Sequence, residues 1–520
     1  MPPAKPRLLT GIQPAMAIGS AVLVTAFVLF TLIQPTTADA LYSAARDFIA
    51  TELSWYYILL MNLYLLLALV AVTSKYGKIR LGADSERPEF SYFAWFSMLF
   101  GAGIGIGILF WSVAEPIYYL QSNPFISDAQ AMTPEAAQVA MRITLFHWGL
   151  HGWALYAFLG MCFAYFSYRK GLPLSIRSTL YPVFGERIYG PIGYVADMLA
   201  VLGTVFGIAT SLGMGAQQMN AGINYLLGIE ISVFMQCLII AAISLVATIS
   251  VLTGVDRGIR ILSELNMRLT LLILVLFLVF GPTIYLLTSI FNNGLDYFIN
   301  APALGVWLAP AQHSQWQSDW TIFYWGWWIA WSPFTGMFIA RISRGRTIRE
   351  YMLGVLLAPT VLSIFWITLF GNTAMHIELF GTGGVTYAVN ADHTLALFKT
   401  IELMDLGIWL TTIMSTICTL MLVTYFVTSA DSGTLVICTL VAMGGENPPG
   451  RLRIFWGIAI GTVAAVLLFA GGLKALQTAS IAAALPFSIV LLLATYGLCK
   501  SLYTEGQSPA EKPITIKTGD

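Results

Sequence analysis

Apolar residues in this chain neither alternate nor form narrow stripes. They run in blocks of about 20 residues separated by short polar stretches. A helix of that length crosses the roughly 30 Å hydrocarbon core of a bilayer at about 1.5 Å per residue. Twelve spans are predicted, over about 12–33, 54–73, 92–120, 139–168, 192–227, 231–252, 259–288, 320–342, 351–375, 406–441, 453–471 and 480–503. Between the seventh and eighth lies a long amphipathic stretch, where Trp307, Trp316 and Trp320 are expected to lie along a membrane interface. The first span follows only Lys5 and Arg7 and is too long for a signal h-region, so it reads as a retained helix. The expected fold class is an all-α integral membrane protein of about 12 transmembrane helices.

Composition agrees with the pattern. Of the 520 residues 58% are hydrophobic and only 10% charged, whereas soluble proteins are about a quarter charged. The formal net charge of zero is sorted by side. All of the 26 basic residues except Arg46, Arg142, Lys399 and Lys474 fall on one side of the predicted alternation. The positive-inside rule then places both termini in the cytoplasm. About ten residues precede the first span and about seventeen follow the last, so neither tail is expected to hold a folded domain. The basic run from Arg341 to Arg349 is short and juxtamembrane, which makes lipid headgroups its partner and argues against nucleic acid. Cys162, Cys237, Cys418, Cys438 and Cys499 stand singly, without metal or redox spacing, and read as small buried hydrophobes. No metal-ligand set or Ser/His/Asp arrangement points to an enzyme.

Two tryptophan-rich runs carry the candidate chemistry. One is His147-Trp148-Gly149-Leu150-His151-Gly152-Trp153-Ala154-Leu155-Tyr156; the other extends from Tyr324 through Trp325, Trp327, Trp328 and Trp331 to Pro333-Phe334. Tryptophan normally gathers at the membrane–water interface, but these rings sit inside spans. Converging electron-rich faces in a dry place suit a cation that cannot donate hydrogen bonds, such as trimethylammonium, at roughly 0.5–2 kcal/mol per ring.

Helix breakers accompany the rings. Gly101, Gly103, Gly105 and Gly107 alternate in the third span, and Ser332-Pro333-Phe334-Thr335-Gly336 is expected to interrupt the eighth. Small residues also serve close helix packing. The functional reading is unwound backbone, tolerated at mid-membrane only where it lines a cavity or is buried in protein. Two interrupted helices at matching places in runs 3–7 and 8–12 point to an inverted repeat. The tenth span carries Tyr425, Thr428, Ser429 and Asp431, whose hydroxyls and freed carbonyls suit a hard monovalent ion; a serine or threonine bonded back to its own helix is the alternative. Glu115 reads as a hydrogen-bonded structural carboxylate or an extracellular-end residue, with a proton relay as the alternative; His147 reads as bonded to backbone, with a switch near neutral pH as the alternative; and Asp431 reads as a partner of a loop arginine.

These residues resemble the betaine/carnitine/choline transporter family. The similarity runs from Pro88-Glu89-Phe90-Ser91 to Gly471 through Ala479 and is most specific from Trp320 to Arg349. The resemblance implies a five-plus-five, LeuT-like inverted-repeat core preceded by two extra helices, alternating access, a homotrimer and a plasma (bacterial inner) membrane location. It divides the chain into a cytoplasmic tail (1–11), two peripheral helices with a loop (12–91), a first repeat (92–290), an amphipathic interfacial segment (291–319), a second repeat (320–503) and a short cytoplasmic tail (504–520). It assigns Trp148, Trp153, Tyr156, Trp327, Trp328 and Trp331 to the aromatic box and pathway, and Gly103, Gly105 and Gly107 to the backbone receiving a carboxylate.

It also implies a sodium site made by Gly101, Ile104, Tyr425, Thr428 and Ser429. A second sodium set matches at Thr204 and Phe334 but is incomplete, because Ile208 stands where a ligating threonine is expected. Gly107 stands where proton-coupled choline carriers of the family have Asp. Asn266 and Thr335 stand where its sodium-independent exchanger has Arg and Met. The expected function is sodium symport of a zwitterionic onium solute, a betaine or dimethylsulfoniopropionate, with no cofactor beyond the coupling ion. A carnitine-like exchanger and proton-coupled choline uptake are the alternatives.

Overall fold

The computed structural model describes residues 13–103, 105–253, 255–445 and 448–506. The expected sodium ligand Ile104, the tail 1–11 and most of the C-terminal tail lie outside the described residues. Within them the chain is helical, and its only extended pairing is a single antiparallel bridge between Arg80 and Thr347. Nine helices among the described residues are long and apolar enough to cross a membrane.

The chain order is α1 (Pro14–Ile33), α2 (Pro35–Glu52), α3 (Ser54–Thr73), α4 (Tyr92–Gly103), α5 (Ile106–Gln121), α6 (Pro134–Trp148), α7 (Leu150–Ala164), α8 (Pro191–Leu227), α9 (Val233–Thr253), α10 (Val255–Phe280), α11 (Thr283–Gly305), α12 (Phe323–Ile342), α13 (Ile348–Ile367), α14 (Ile408–Val441) and α15 (Gly450–Glu505). In α15 the non-helical dihedrals of Gly471 and Gly472 divide 56 residues into two arms. At the centre α7 packs along α12, while α8 packs against α12, α14 and α15. The α7–α12 approach is close because glycine meets glycine: a Cβ on Gly160 would lie 2.9 Å from the Gly336 carbonyl oxygen.

Several expectations are corrected. The eighth span is not interrupted: α12 runs unbroken through Pro333. Proline removes the N–H that would have bonded the Ile329 carbonyl, and Ser332 Oγ donates to that carbonyl instead, at 2.8 Å. Gly336 therefore serves packing, not a turn. The third span does break, but only at the joint between α4 and α5, where Gly105 is extended at φ −133°, ψ −171°. Gly101 and Gly103 lie in the last turn of α4, and Gly107 in the first turn of α5. The tenth span is one continuous helix, so it has no freed carbonyls at Tyr425. The seventh span stops at Phe280 rather than 288, because Gly281-Pro282 ends it and α11 follows. Residues 35–52, between the first two predicted spans, form α2.

Candidate functional site

The ring cluster is built at a helix joint the sequence pattern did not reveal. Helix α6 ends at Trp148, Gly149 leaves helical geometry at φ −102°, ψ −142°, and α7 begins at Leu150. Tyr297 of α11 holds the joint by accepting the Leu150 N–H at 2.7 Å on its hydroxyl. Ending a helix leaves carbonyls without intrahelical partners. One of these, on His147, accepts the indole N–H of Trp328 at 3.1 Å. The break thus supplies the acceptor that orients the central ring.

Around Trp328 stand Tyr156, Trp153 and Trp148, with ring centroids at 4.7, 5.6 and 6.1 Å. Trp327 lies 5.9 Å from Trp148, edge to face. Two glycines let the rings lie against bare backbone. A Cβ on Gly152 would fall 2.5 Å from the Trp328 ring, and one on Gly107 would fall 2.2 Å from Trp327 and 3.1 Å from Trp148. A Cβ on Gly105 meets nothing within 4 Å, so the extended joint faces open space. Trp331 stands apart: it is half-buried and packs edge-on against Phe334 at 5.2 Å.

Behind Trp148 lies a fully buried carboxylate. Glu115 accepts from Trp148 Nε1 at 3.0 Å and from the Tyr324 hydroxyl at 2.5 Å, and lies 2.8 Å from His147 Nδ1. His147, equally buried, reaches Thr321 Oγ1 with Nε2 at 3.1 Å and stacks on Tyr324 at 4.6 Å. Glu115 is thus a hydrogen-bonded carboxylate, as read from the sequence, whereas His147 bonds to side chains where backbone was expected. Their attachment to a ring of the cluster was not read. The adjacency of His147 and Trp148 in sequence was the available signal.

The candidate cation ligands divide differently. Thr428 Oγ1 donates to the carbonyls of Thr424 and Tyr425 at 3.0 and 3.1 Å and accepts from Asn266 Nδ2 at 3.3 Å. Ser429, half-buried, follows it on α14. Among the described residues Asn266 Oδ1 is buried without a partner beside them, which adds an orphan oxygen to the candidate set. Arg268, two residues on, points away and pairs with Glu264 at 3.7 Å. The start of α5 and the Tyr425–Ser429 turn flank the same glycine: a Cβ on Gly215 would meet Ile106 at 3.0 Å and Phe426 at 3.4 Å. At the second set, Thr204 Oγ1 is bonded back to Ala200 O at 2.7 Å. Ile208 packs onto Gly433, where a Cβ would lie 2.2 Å from its Cδ1. An oxygen-bearing side chain at 208 would lose that contact. Phe334 is buried within continuous α12. Asp431 accepts from Ser250 Oγ at 2.7 Å, a hydroxyl partner where an arginine was expected.

A separate open cavity of about 420 Å³ is lined by Trp111, Tyr118 and Trp320 with Arg46, Asp319 and Lys474. Trp320 is half-buried and packs at 5.3 Å on Trp111 and 4.9 Å on Tyr119.

Comparison with known proteins adds to this geometry. A family model described as BCCT, betaine/carnitine/choline family transporter, matches residues 15–507. The chain is 41% identical to the probable glycine betaine transporter of Desulfitobacterium hafniense, covering 94% of this chain and 97% of that one. It is 42% identical to the glycine betaine transporter OpuD of Bacillus subtilis, covering 92% of each. It is 41% identical to the high-affinity choline transport protein of Escherichia coli, covering 95% of this chain and 72% of that one.

Proposed function

The chain belongs to the betaine/carnitine/choline transporter family, and from that premise we propose that it imports a zwitterionic onium solute, such as glycine betaine or dimethylsulfoniopropionate, by sodium symport. The observation carrying this reading is the convergence of Trp148, Trp153 and Tyr156 on Trp328, with ring centroids 4.7–6.1 Å from it, around the α6–α7 joint. A trimethylammonium or dimethylsulfonium head gives up its water on entering, and desolvated ring faces repay about 2 kcal/mol each. The open backbone at Gly105 receives the carboxylate.

The protein works by alternating access in the bacterial inner membrane, with twelve spans, both termini cytoplasmic, a five-plus-five repeat and a trimeric assembly. The kink at Gly471–Gly472 supports the count, because each arm of α15 is long enough for one crossing. Sodium is held by Thr428 and Ser429 with backbone from the α4–α5 joint. A zwitterion carries no net charge, so each coupled sodium draws about 2.3 kcal/mol per 100 mV from the membrane potential. That is nearly two decades of accumulation. Trp327 packs over Gly107, where a Cβ would fall 2.2 Å from its ring, and this close packing supports the reading against an aspartate-bearing, proton-coupled carrier. Asn266 in contact with Thr428 replaces the arginine of a sodium-independent one.

The test is uptake of labelled glycine betaine into proteoliposomes, empty or preloaded, with and without an inward sodium gradient. Sodium-dependent uptake into empty vesicles is expected. Uptake confined to preloaded vesicles and indifferent to sodium would identify an exchanger. In the same assay Thr428→Ala is expected to raise the sodium concentration for half-maximal uptake at least about tenfold, a loss of about 1.4 kcal/mol. An unchanged sodium dependence in this variant would remove Thr428 from the ion site.

A further inference from the structure

Four basic residues stand on the outer side of the proposed topology, against the rule that gathers the others inside. Two are neutralised locally: Arg142 by Asp296, through bonds of 2.6 and 2.8 Å, and Lys399 by Glu402 at 2.7 Å. The other two, Arg46 and Lys474, line the open cavity of about 420 Å³. Five separate segments meet there. Arg46 comes from α2, Trp111 from α5, Asp319 from the π-helical turn Ser318–Ile322, His393 from the short turn His393–Leu395, and Lys474 from just beyond the Gly471–Gly472 kink.

This lining holds more donors than its acceptors use. Among the described residues Asp319 is its only carboxylate, and Arg46 Nη2 and Gln315 Nε2, the latter at 2.9 Å, already donate to it. Arg46 is only 6% exposed, yet among the described residues its Nε has no partner. The same holds for the indole N–H of Trp111, a buried residue, and for Nε2 of His393, whose ring stacks on Trp111 at 6.0 Å. Guanidinium and indole N–H groups donate and cannot accept, and a neutral imidazole donates from one nitrogen. Leaving such donors buried and unpaired is costly. Lys474 is exposed, and among the described residues no carboxylate forms an ion pair with it; Asp39 lies near Gly471 but outside the lining. Arginine and lysine are cationic and aspartate is anionic at neutral pH, so the lining carries one positive charge in excess.

We infer that this cavity is a site for a small inorganic anion such as chloride, recruited by Arg46 and Lys474, with Trp111 and His393 as further hydrogen-bond donors. A cation would meet charge of its own sign and a carboxylate already bonded twice. At about 30 Å³ per water the cavity admits the ion with part of its hydration shell. The bound anion cancels the positive excess, so an onium head passing from outside meets a neutral wall. That consequence rests on the proposed function; the binding of the ion does not.

The probe is chloride alone, added as its sodium salt to the purified full-length protein in bulky gluconate, at constant sodium and ionic strength. Exchange with a protein site broadens the chloride NMR line. Saturable broadening is expected, with a half-effect at about 1–30 mM, and bromide should displace it. Lys474→Gln changes an exposed side chain and is expected to weaken chloride at least about tenfold; Trp111→Phe keeps a ring, loses the N–H and should cost about fivefold. Arg46→Gln probes the same site, and should it not fold, the other two variants decide. Absence of saturable broadening, or equal broadening in Lys474→Gln and the unmodified protein, would overturn the site. In proteoliposomes, replacing external chloride by gluconate is expected to slow uptake of dilute glycine betaine about threefold, a difference that Lys474→Gln should remove. Chloride binding with uptake indifferent to the exchange would overturn its role in entry. Absence of uptake under either anion would count against the proposed function and leave the site to be decided by the line widths.

Discussion

Trp328→Ala is expected to abolish measurable binding of glycine betaine. This ring has the most partners in the cluster: Tyr156, Trp153 and Trp148 surround it, and its N–H is fastened to the His147 carbonyl. Its removal forfeits a desolvated cation–π contact of about 2 kcal/mol, about thirtyfold in affinity. It also unpacks its neighbours, because truncating a buried tryptophan costs about 3–5 kcal/mol. Trp328→Phe keeps a ring face but loses the hydrogen bond to His147, and an intermediate loss of about tenfold is expected. Trp331→Ala is the contrast, since Trp331 packs on Phe334 and away from the cluster; less than about a threefold change is expected there. Titration calorimetry on the three purified variants reads the order directly. Binding by Trp328→Ala within threefold of the unmodified protein would dismiss the box.

The largest effect on stability is expected from Asp197→Ala, far from the box. Arg177, on the short helical turn Ile176–Thr179, and Asp197 of α8 are both fully buried and joined through the guanidinium Nε. Asp197 also accepts the backbone N–H of Arg177 at 3.0 Å, and the guanidinium lies 4.8 Å from the centre of the Tyr194 ring. The pair need not be more stabilising than an apolar filling of the same volume. Removing one member is different. It strands a buried guanidinium and a backbone donor together, at a cost of about 3–5 kcal/mol. Thermal unfolding in detergent should show Asp197→Ala far below the unmodified protein, with Asp197→Asn between them because the amide oxygen still accepts the Arg177 N–H. A melting temperature for Asp197→Ala within about 2 °C of the unmodified protein would show that the buried charge finds another partner.

Residue by residue, the legible and illegible parts of the site separate along a physical line. Trp148, Trp153, Tyr156, Trp327 and Trp328 could be picked out because aromatic rings inside a membrane span are anomalous against their interfacial norm. That Trp331 leaves the group could not, because a few degrees of helix rotation decide which ring faces in. Pro333 was misleading for a local reason: Ser332 repairs the carbonyl that proline orphans, so a break expected from composition disappears. Gly149 was missed for a distant one, since the hydroxyl that accepts the Leu150 N–H comes from Tyr297, 147 residues along the chain. Thr428 shows both alternatives at once, bonded back to its own helix and open to Asn266.

The apolar blocks alone determined that the chain is an all-helical membrane protein, because bilayer thickness and internal backbone bonding act on each segment separately and leave their mark in its length and composition. The tryptophan runs alone pointed to an onium solute, because few other chemistries call for so many aromatic faces in a dry place. Only the tertiary structure decided which helix breaks, which ring lies at the centre, and that Glu115 and His147 meet behind Trp148. Each of these depends on contacts between segments far apart in sequence, where a side chain's partner is set by packing and not by its neighbours along the chain.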